Sequence, residues 1–375
     1  MASKYRADQV GSLLRPKELL DLRHDPNVAP EALREMEDQC IQRVLARQKD
    51  LGFKIFTDGE LRRHGFMSDF HESVEGLDME GAIDRTWQSA AGASAASTPT
   101  SRPVAGIVTG KLRKKKRLTQ HEVSFLKEHS PGDIKMTLPS ANQFPAIAYR
   151  KGITDKVYPT HSELRWDIVP IIKSEIQALV GEGVKYIQID APRYSYFIDP
   201  KWRQYIQDEM GVDPSQALDE AIRADNACLE AARKGTIRDV VLAIHLCRGN
   251  NRSQWYAQGG YDPIAEKVFS QLNVDAFLLE YESDRAGSFE PLRFVPRDKT
   301  VVLGLVSSKL PQLESQEELV GRIEEAGRFV PLQNLALSPQ CGFASTMEGN
   351  LLTEEQQWRK LALVAQTARK VWQDA

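Results

Sequence analysis

Eight short apolar runs, most followed by a stretch long enough to cross back as a helix, predict an α/β chain built as a (β/α)8 TIM barrel. It carries an N-terminal extension and an inserted loop and hairpin after strand two. Two further observations support this class. Polar residues collect where the predicted strands end, at Ser12, Asp58, Glu60, Asp190, His245, Cys247, Glu280 and Cys341, and barrel enzymes build their sites at that rim. No Gly-x-Gly-x-x-Gly turn or P-loop follows the first strand, which disfavours the runner-up, an open doubly wound nucleotide-binding sheet. All 375 residues are read as one domain.

Taken in order, Arg6 to Ser12 predicts a first strand ending in Gly-Ser, and Pro16 opens a helix. Residues 30–51 carry an amphipathic helical pattern, with Cys40 read as a packed helix residue. Phe53 to Glu60 is the second strand, closing in two carboxylates beside Arg62, Arg63 and His64. Asp133–Ser140 is the third strand and Tyr186–Asp190 the fourth, separated by a helix over 162–182. A helix over 216–234 holds Cys228, again read as a core residue. Val240–Leu246, apolar except for His245, is the fifth strand, as expected of one buried on both faces. Ala276–Glu280, Thr300–Val306 and Leu335–Gly342 complete the eight, and a helix over 354–373 closes the chain.

The insertion spans about 86–103 and contains a run of small and polar residues that predicts a mobile loop. A hairpin over about 104–117 follows, ending in Arg113-Lys114-Lys115-Lys116-Arg117, read as a solvated basic face rather than a grip on an anionic substrate tail. Charged residues make up 27% and the formal net charge is −3, which gives no reason to expect nucleic acid as a partner. No apolar run is long enough for a membrane span. Met1-Ala2-Ser3-Lys4-Tyr5-Arg6 lacks the apolar core of a secretion signal, and four cysteines are too few for a disulfide scaffold. A cytoplasmic protein is the expectation.

The chemistry centres on His245-Leu246-Cys247. Strand side chains alternate with period two, so His245 and Cys247 point to one side at the strand mouth, as a pair of soft metal ligands suited to zinc. Glu280 ends an otherwise apolar strand, and Cys341 follows a Ser-Pro-Gln turn at the end of the last one. His245, Cys247, Glu280 and Cys341 together would complete a four-coordinate Zn2+ site. The alternative is an exposed glutamate and a buried, inert cysteine.

These residues resemble a known family. His245-Leu246-Cys247, the strand-end Glu280 and Ser338-Pro339-Gln340-Cys341-Gly342 match the zinc-ligand pattern of the cobalamin-independent methionine synthases. Gly11-Ser12, Asp58-Gly59-Glu60 and Gln188-Ile189-Asp190 fit the same barrel. The similarity covers the catalytic C-terminal barrel of the two-barrel enzymes and is nearest to the short bacterial single-barrel members. Epoxyalkane–coenzyme M transferase belongs to the same group. The resemblance implies that zinc binds a substrate thiol and activates it to attack an alkyl group, with Glu280 the donor that gives way. Two thiolates and a carboxylate more than neutralise the ion, which suits holding a nucleophilic thiolate better than hydrolysis. For homocysteine, the resemblance places Gly11 and Ser12 at the carboxylate and Glu60 and Asp190 at the ammonium. Pairing of Glu60 with Arg62 or Arg63, and of Asp190 with Arg193, is the competing reading.

The expected partners are therefore a small thiol, homocysteine first, and a methyl donor. The chain departs from the family at three points in the folate half. Ala191 stands where the methionine synthases carry Glu, Val306-Ser307-Ser308 where they carry a histidine, and Asn142-Gln143 near their pterin-stacking tryptophan. Tyr194, Tyr196 and His71 are candidate proton donors in its place. Rival expectations are a sulfonate thiol such as coenzyme M, gripped by Arg248 or Arg193, and a non-catalytic zinc-stabilised binding barrel. A decarboxylase-like barrel using Asp58, Glu60 and Asp190 is the weakest.

Overall fold

In the computed structural model the described residues are 4–67, 70–79, 88, 106–233 and 239–373. The strands are β1 (Ile55–Phe56), β2 (Val74–Asp78), β3 (Ile107–Lys114), β4 (Asp133–Pro139), β5 (Tyr186–Asp190), β6 (Val241–Leu246), β7 (Ala276–Glu280), β8 (Thr300–Val306) and β9 (Leu335–Pro339). Seven of them form a single parallel sheet in the order β1-β4-β5-β6-β7-β8-β9. Because the sheet order follows the chain order, the sheet never reverses and curls as a TIM-like barrel does.

The predicted first strand appears as a single parallel bridge, Ala7 to Leu337. Asp8 N–H donates to Leu337 O and Leu337 N–H to Arg6 O, each at 2.8 Å, which joins the segment to β9. On its other side, side chains replace the ladder. Gln9 Nε2 donates to Gln48 Oε1 at 2.7 Å and to Ile55 O at 3.3 Å, and Leu13 N–H donates to Gly59 O at 2.9 Å. The polar Asp8 and Gln9 turn toward buried partners, so a regular strand does not form. Lys135 Nζ donates to Asp8 Oδ1 at 2.8 Å, and Tyr186 hydroxyl donates to Asp8 Oδ2 at 2.9 Å.

Two further expectations are corrected. The second strand is only Ile55–Phe56, because the chain turns at Asp58-Gly59-Glu60, where Gly59 and Glu60 both have positive φ, at 69° and 56°. The predicted hairpin does not fold within 104–117. β3 pairs antiparallel with β2, across the insertion, with a bulge between Glu75 and Leu77. The insertion itself, apart from Gln88, lies outside the described residues. The basic run lies at the end of β3 and just after it, and three of its residues pair with carboxylates: Arg117 with Glu175 and Glu182, Lys114 with Glu175 and Lys116 with Glu72.

Helices over Pro30–Leu51, His161–Gly181, Pro214–Arg233 and Glu354–Val371 pack outside the sheet. Thr160 and Thr353 cap the second and fourth by accepting backbone N–H bonds, and Gly52 ends the first at φ 88°. One apolar cluster fills the space between sheet and helices and includes Leu242, Ile244 and Leu246. A second includes Tyr186, Ala243, Leu278, Val302 and Ala336. β6 therefore alternates, and His245 falls on the face of Ala243, toward the second cluster. Among the described residues no helix is long and apolar enough to cross a membrane.

Candidate metal centre and substrate pocket

The ligand atoms of His245, Cys247 and Cys341 lie within 4.8 Å of one another, and all three residues are buried. β6 supplies the first two and the turn after β9 supplies Cys341. Neither ring nitrogen of His245 has a hydrogen-bond partner among the described residues, and a buried imidazole left so carries a desolvation cost. Two sulfurs and an orphaned imidazole facing one point suit a thiophilic ion such as zinc.

The three groups titrate against each other. Hydrogen bonding from Cys247 holds the Cys341 thiol well below its ordinary range, against the effect of burial, with His245 contributing in the same direction. Cys247 is pushed up by Cys341 and by burial. Burial drives His245 down, but the nearby Cys341 sulfur, Asp190 and Glu280 outweigh it and raise it.

Glu280 ends β7, fully buried, yet its carboxylate lies outside that trio. Arg285 donates to Oε1, and the Arg248 N–H donates to Oε2 at 2.9 Å. Burial would raise its pKa, but Lys309, Arg285 and Arg248 hold the carboxyl down at about 2. The structure thus brings three of the four predicted ligands together and keeps the fourth as an arginine-bound carboxylate on the neighbouring strand.

The predicted amino-acid pocket adjoins this cluster. Asp190 stands directly across the ladder from His245. Its Oδ1 accepts from Gln188 Nε2 at 2.7 Å, and burial, against His245, pushes its carboxyl up to about 7. Glu60 Oε1 accepts from Thr137 Oγ1 at 2.6 Å and lies 3.4 Å from Arg63 Nη1, while the buried Oε2 has no partner among the described residues. Burial raises its pKa despite Arg63. A Cβ on Gly11 would sit 2.6 Å from Glu60 Oε1, so the glycine leaves room for that carboxylate. Ser12 packs against the Cys341 turn: its hydroxyl accepts the Ala344 N–H at 3.3 Å, and its carbonyl accepts the Phe343 N–H at 2.8 Å.

Of the competing pairings, Glu60 with Arg63 is present at 3.4 Å, and no pairing of Asp190 with Arg193 appears among the described residues. Arg63 reaches Glu60 but commits two bonds of 2.7 Å to Glu122, and Arg62 binds Glu37 and Asp38. Arg193 binds Gln143 and Tyr196. Arg248 donates to the Gly259 and Glu280 carbonyls and to Tyr261. Both arginines weighed for a sulfonate are thus committed to protein groups. Tyr194 donates to the buried Asp225, and His71 lies in a surface group with His64 and Glu72. The sequence reading missed Arg285, which clamps both Glu280 and Glu282, and the buried Lys309 after β8. The signal for Arg285 was its position shortly after the strand-end Glu280.

Residues 17–363 match the catalytic domain of the cobalamin-independent synthases. The chain belongs to this family. Among other members, the uncharacterised Bacillus subtilis proteins YxjH and YxjG are 40% and 39% identical, each over 98% of this chain and 95% of the relative. A methionine synthase of Saccharolobus solfataricus is 24% identical over 96% of this chain and 93% of its own. The crystal structure of a candidate vitamin-B12-independent methionine synthase from Listeria monocytogenes superposes with a TM-score of 0.73. It is 29% identical, and 99% of each chain is covered. A B12-independent methionine synthase from a Shewanella strain, solved with selenomethionine, shares the fold at a TM-score of 0.72 and 21% identity, over 98% of this chain and 97% of that one. The cobalamin-independent synthase fold predicted from the strand-end motifs is therefore the fold of this chain.

Proposed function

We propose that this synthase-family barrel is a zinc-dependent methyltransferase. It moves a methyl group from 5-methyltetrahydrofolate or another small donor to the thiolate of homocysteine, giving methionine. The observation that carries the reading is the adjacency of two unlike subsites. A His-Cys-Cys cluster able to take a thiophilic ion lies beside Asp190, and Glu60 shares that pocket with a buried oxygen that has no partner.

His245, Cys247 and Cys341 would hold the ion, with Glu280 the fourth and hardest donor. Zinc there would lower the pKa of the acceptor thiol while leaving its sulfur nucleophilic. The residues around it do the rest. Glu60 and Asp190 offer buried carboxylates to the substrate ammonium, and the Glu60 Oε2 gains a partner that it lacks among the described residues. Thr137 and Gln188 hold those carboxylates in place. Gly11 and Ser12 line the side toward the substrate carboxylate. The apolar barrel interior beneath them keeps bulk water from the sulfur.

The test is to load the protein with Co2+ and titrate it with L-homocysteine, then with 2-mercaptoethanesulfonate, following the visible bands that report sulfur entering the metal's coordination sphere. A saturable change with homocysteine alone supports the proposal. A change with the sulfonate thiol alone refutes it in favour of epoxide-type chemistry. No change with either, from metallated protein, leaves a structural metal.

A further inference from the structure

Lys309 is 3% exposed, and its ammonium has no hydrogen-bond partner among the described residues. Other cations near the strand ends are committed: Arg285 to Glu280 and Glu282, Arg248 to Gly259 and Tyr261, Arg63 to Glu122. A buried ammonium is costly unless something compensates it.

The loop that carries Lys309 is built to keep it there. Ser307 Oγ accepts the Lys309 N–H at 3.2 Å and the Leu310 N–H at 3.3 Å. The Ser307 N–H donates to Glu314 at 2.8 Å, and Lys360 holds that carboxylate at 3.0 Å. Ser308 hydroxyl donates to Gln340, and its carbonyl accepts from Asn350 Nδ2 at 2.6 Å. Since β8 lies between the strands bearing Glu280 and the Cys341 turn, the loop puts the charge at the metal end of the barrel. Its charge is felt there by Glu280, Glu282, Cys247 and Cys341.

We propose that Lys309 is the anion receptor for the second substrate, holding the atom of the methyl donor that departs with the bonding electron pair. This rests on the methyl-transfer reading above. The thiolate lone pair forms the new S–C bond while the C–X bond breaks with its pair on X. X leaves one unit more negative than it arrived, and no proton, oxidant or reductant is consumed. An ammonium hydrogen-bonded to X stabilises the charge that develops in the transition state. The class of donor that needs it is one whose leaving group departs as an anion.

The probes are methanesulfonate, methyl methanesulfonate and the trimethylsulfonium ion, used on the full-length, metal-loaded chain and on K309M and K309R. Calorimetric titration with methanesulfonate should show binding that weakens about tenfold or more in K309M, the loss of one charge-assisted hydrogen bond, and largely returns in K309R. In single turnovers with L-homocysteine, K309M should slow methionine formation from methyl methanesulfonate, which releases an anion, by about tenfold. It should not slow the rate from trimethylsulfonium, a cation that releases neutral dimethyl sulfide, by more than about twofold. Equal slowing with both donors, or methanesulfonate binding that is absent from the parent or unchanged in K309M, overturns the proposal. Weakened L-homocysteine binding to Co2+-loaded K309M would assign the cation to the acceptor instead, and also overturns it. If the parent protein fails to bind homocysteine while methanesulfonate still binds through Lys309, the acceptor assignment fails and the anion site stands.

Discussion

Replacing Gly11 by alanine should blind the pocket to the substrate's amino group. The new Cβ would lie 2.6 Å from Glu60 Oε1 and 3.0 Å from Thr137 Cγ2. The first contact falls about 0.8 Å short of the 3.4 Å at which ordinary van der Waals contact begins. Gly11 sits at φ 156°, and the Glu60 backbone is itself held at φ 56°, so neither main chain moves cheaply. The carboxylate is the part that yields, breaking its 2.6 Å bond from Thr137 and its alignment on an incoming ammonium. A lost charge-assisted hydrogen bond is worth about 1.5–3 kcal/mol, or about 10- to 150-fold in Kd. The assay compares L-homocysteine with 4-mercaptobutanoate, which has the same thiol and carboxylate but no amine, on Co2+-loaded protein. Gly11→Ala should weaken homocysteine by that factor beyond any loss shared by the analogue. Glu60→Gln, which leaves the backbone alone, should reproduce the difference. Equal losses for the two thiols in both variants would refute an ammonium at Glu60.

Other outcomes follow from the same geometry. Cys341→Ser should reduce zinc from about one ion per chain to well below it, with far-UV circular dichroism unchanged. Full stoichiometry measured by plasma emission would remove Cys341 from the ligand set. Asp8→Ala strips the buried Lys135 of its carboxylate at 2.8 Å and should cost about 3–5 kcal/mol in urea unfolding; a loss under 1 kcal/mol would show that Lys135 readily finds water or another acceptor. His161 stacks on Tyr149 at 3.8 Å, and burial, with Arg165, lowers it from 6.5 to about 4. The unfolded chain therefore takes up that proton first. Its stabilisation is complete above pH 6.5 and is lost toward pH 4, about 1–2 kcal/mol after discounting for partial exposure. His161→Gln should flatten that window in denaturation midpoints taken at pH 7.5 and 5, and an unchanged slope would place the acid sensitivity elsewhere.

The clustering of His245, Cys247 and Cys341 was legible from local rules together with the family resemblance. A period-two strand carries His245 and Cys247 to one face, and strand ends in a barrel converge, so Cys341 could be placed without knowing any contact. What escaped depends on partners far along the chain. The 74–78 strand gave no short-range sign that it would pair with 107–114, since no tight turn joins them. The opening strand was over-extended because Asp8 and Gln9 fit a strand pattern locally. Their inward turn is set by Lys135, Tyr186 and Gln48. Lys309, between Ser308 and Leu310, carries no local sign of burial in the sequence. It is buried by a loop tied to Gln340, Asn350 and Glu314. Glu280 was placed correctly at its strand end, but Arg285, a residue of the following turn, decides where its carboxylate points.

Charge accounts for why these pieces belong together. Glu60, Asp190, Glu280, Glu282 and two thiols crowd one end of a low-dielectric barrel, and Arg285 and Lys309 answer only part of that charge. Burial within that crowd raises the carboxyl pKa of Glu60, and that of Asp190 to about 7. A divalent ion at the sulfurs and an ammonium at the carboxylates would relieve different halves of this excess. Because His245 is across the ladder from Asp190, the two events are coupled through neighbouring charges. By linkage that coupling is reciprocal: whatever factor the ion changes the amino acid's affinity by, the amino acid changes the ion's by the same factor.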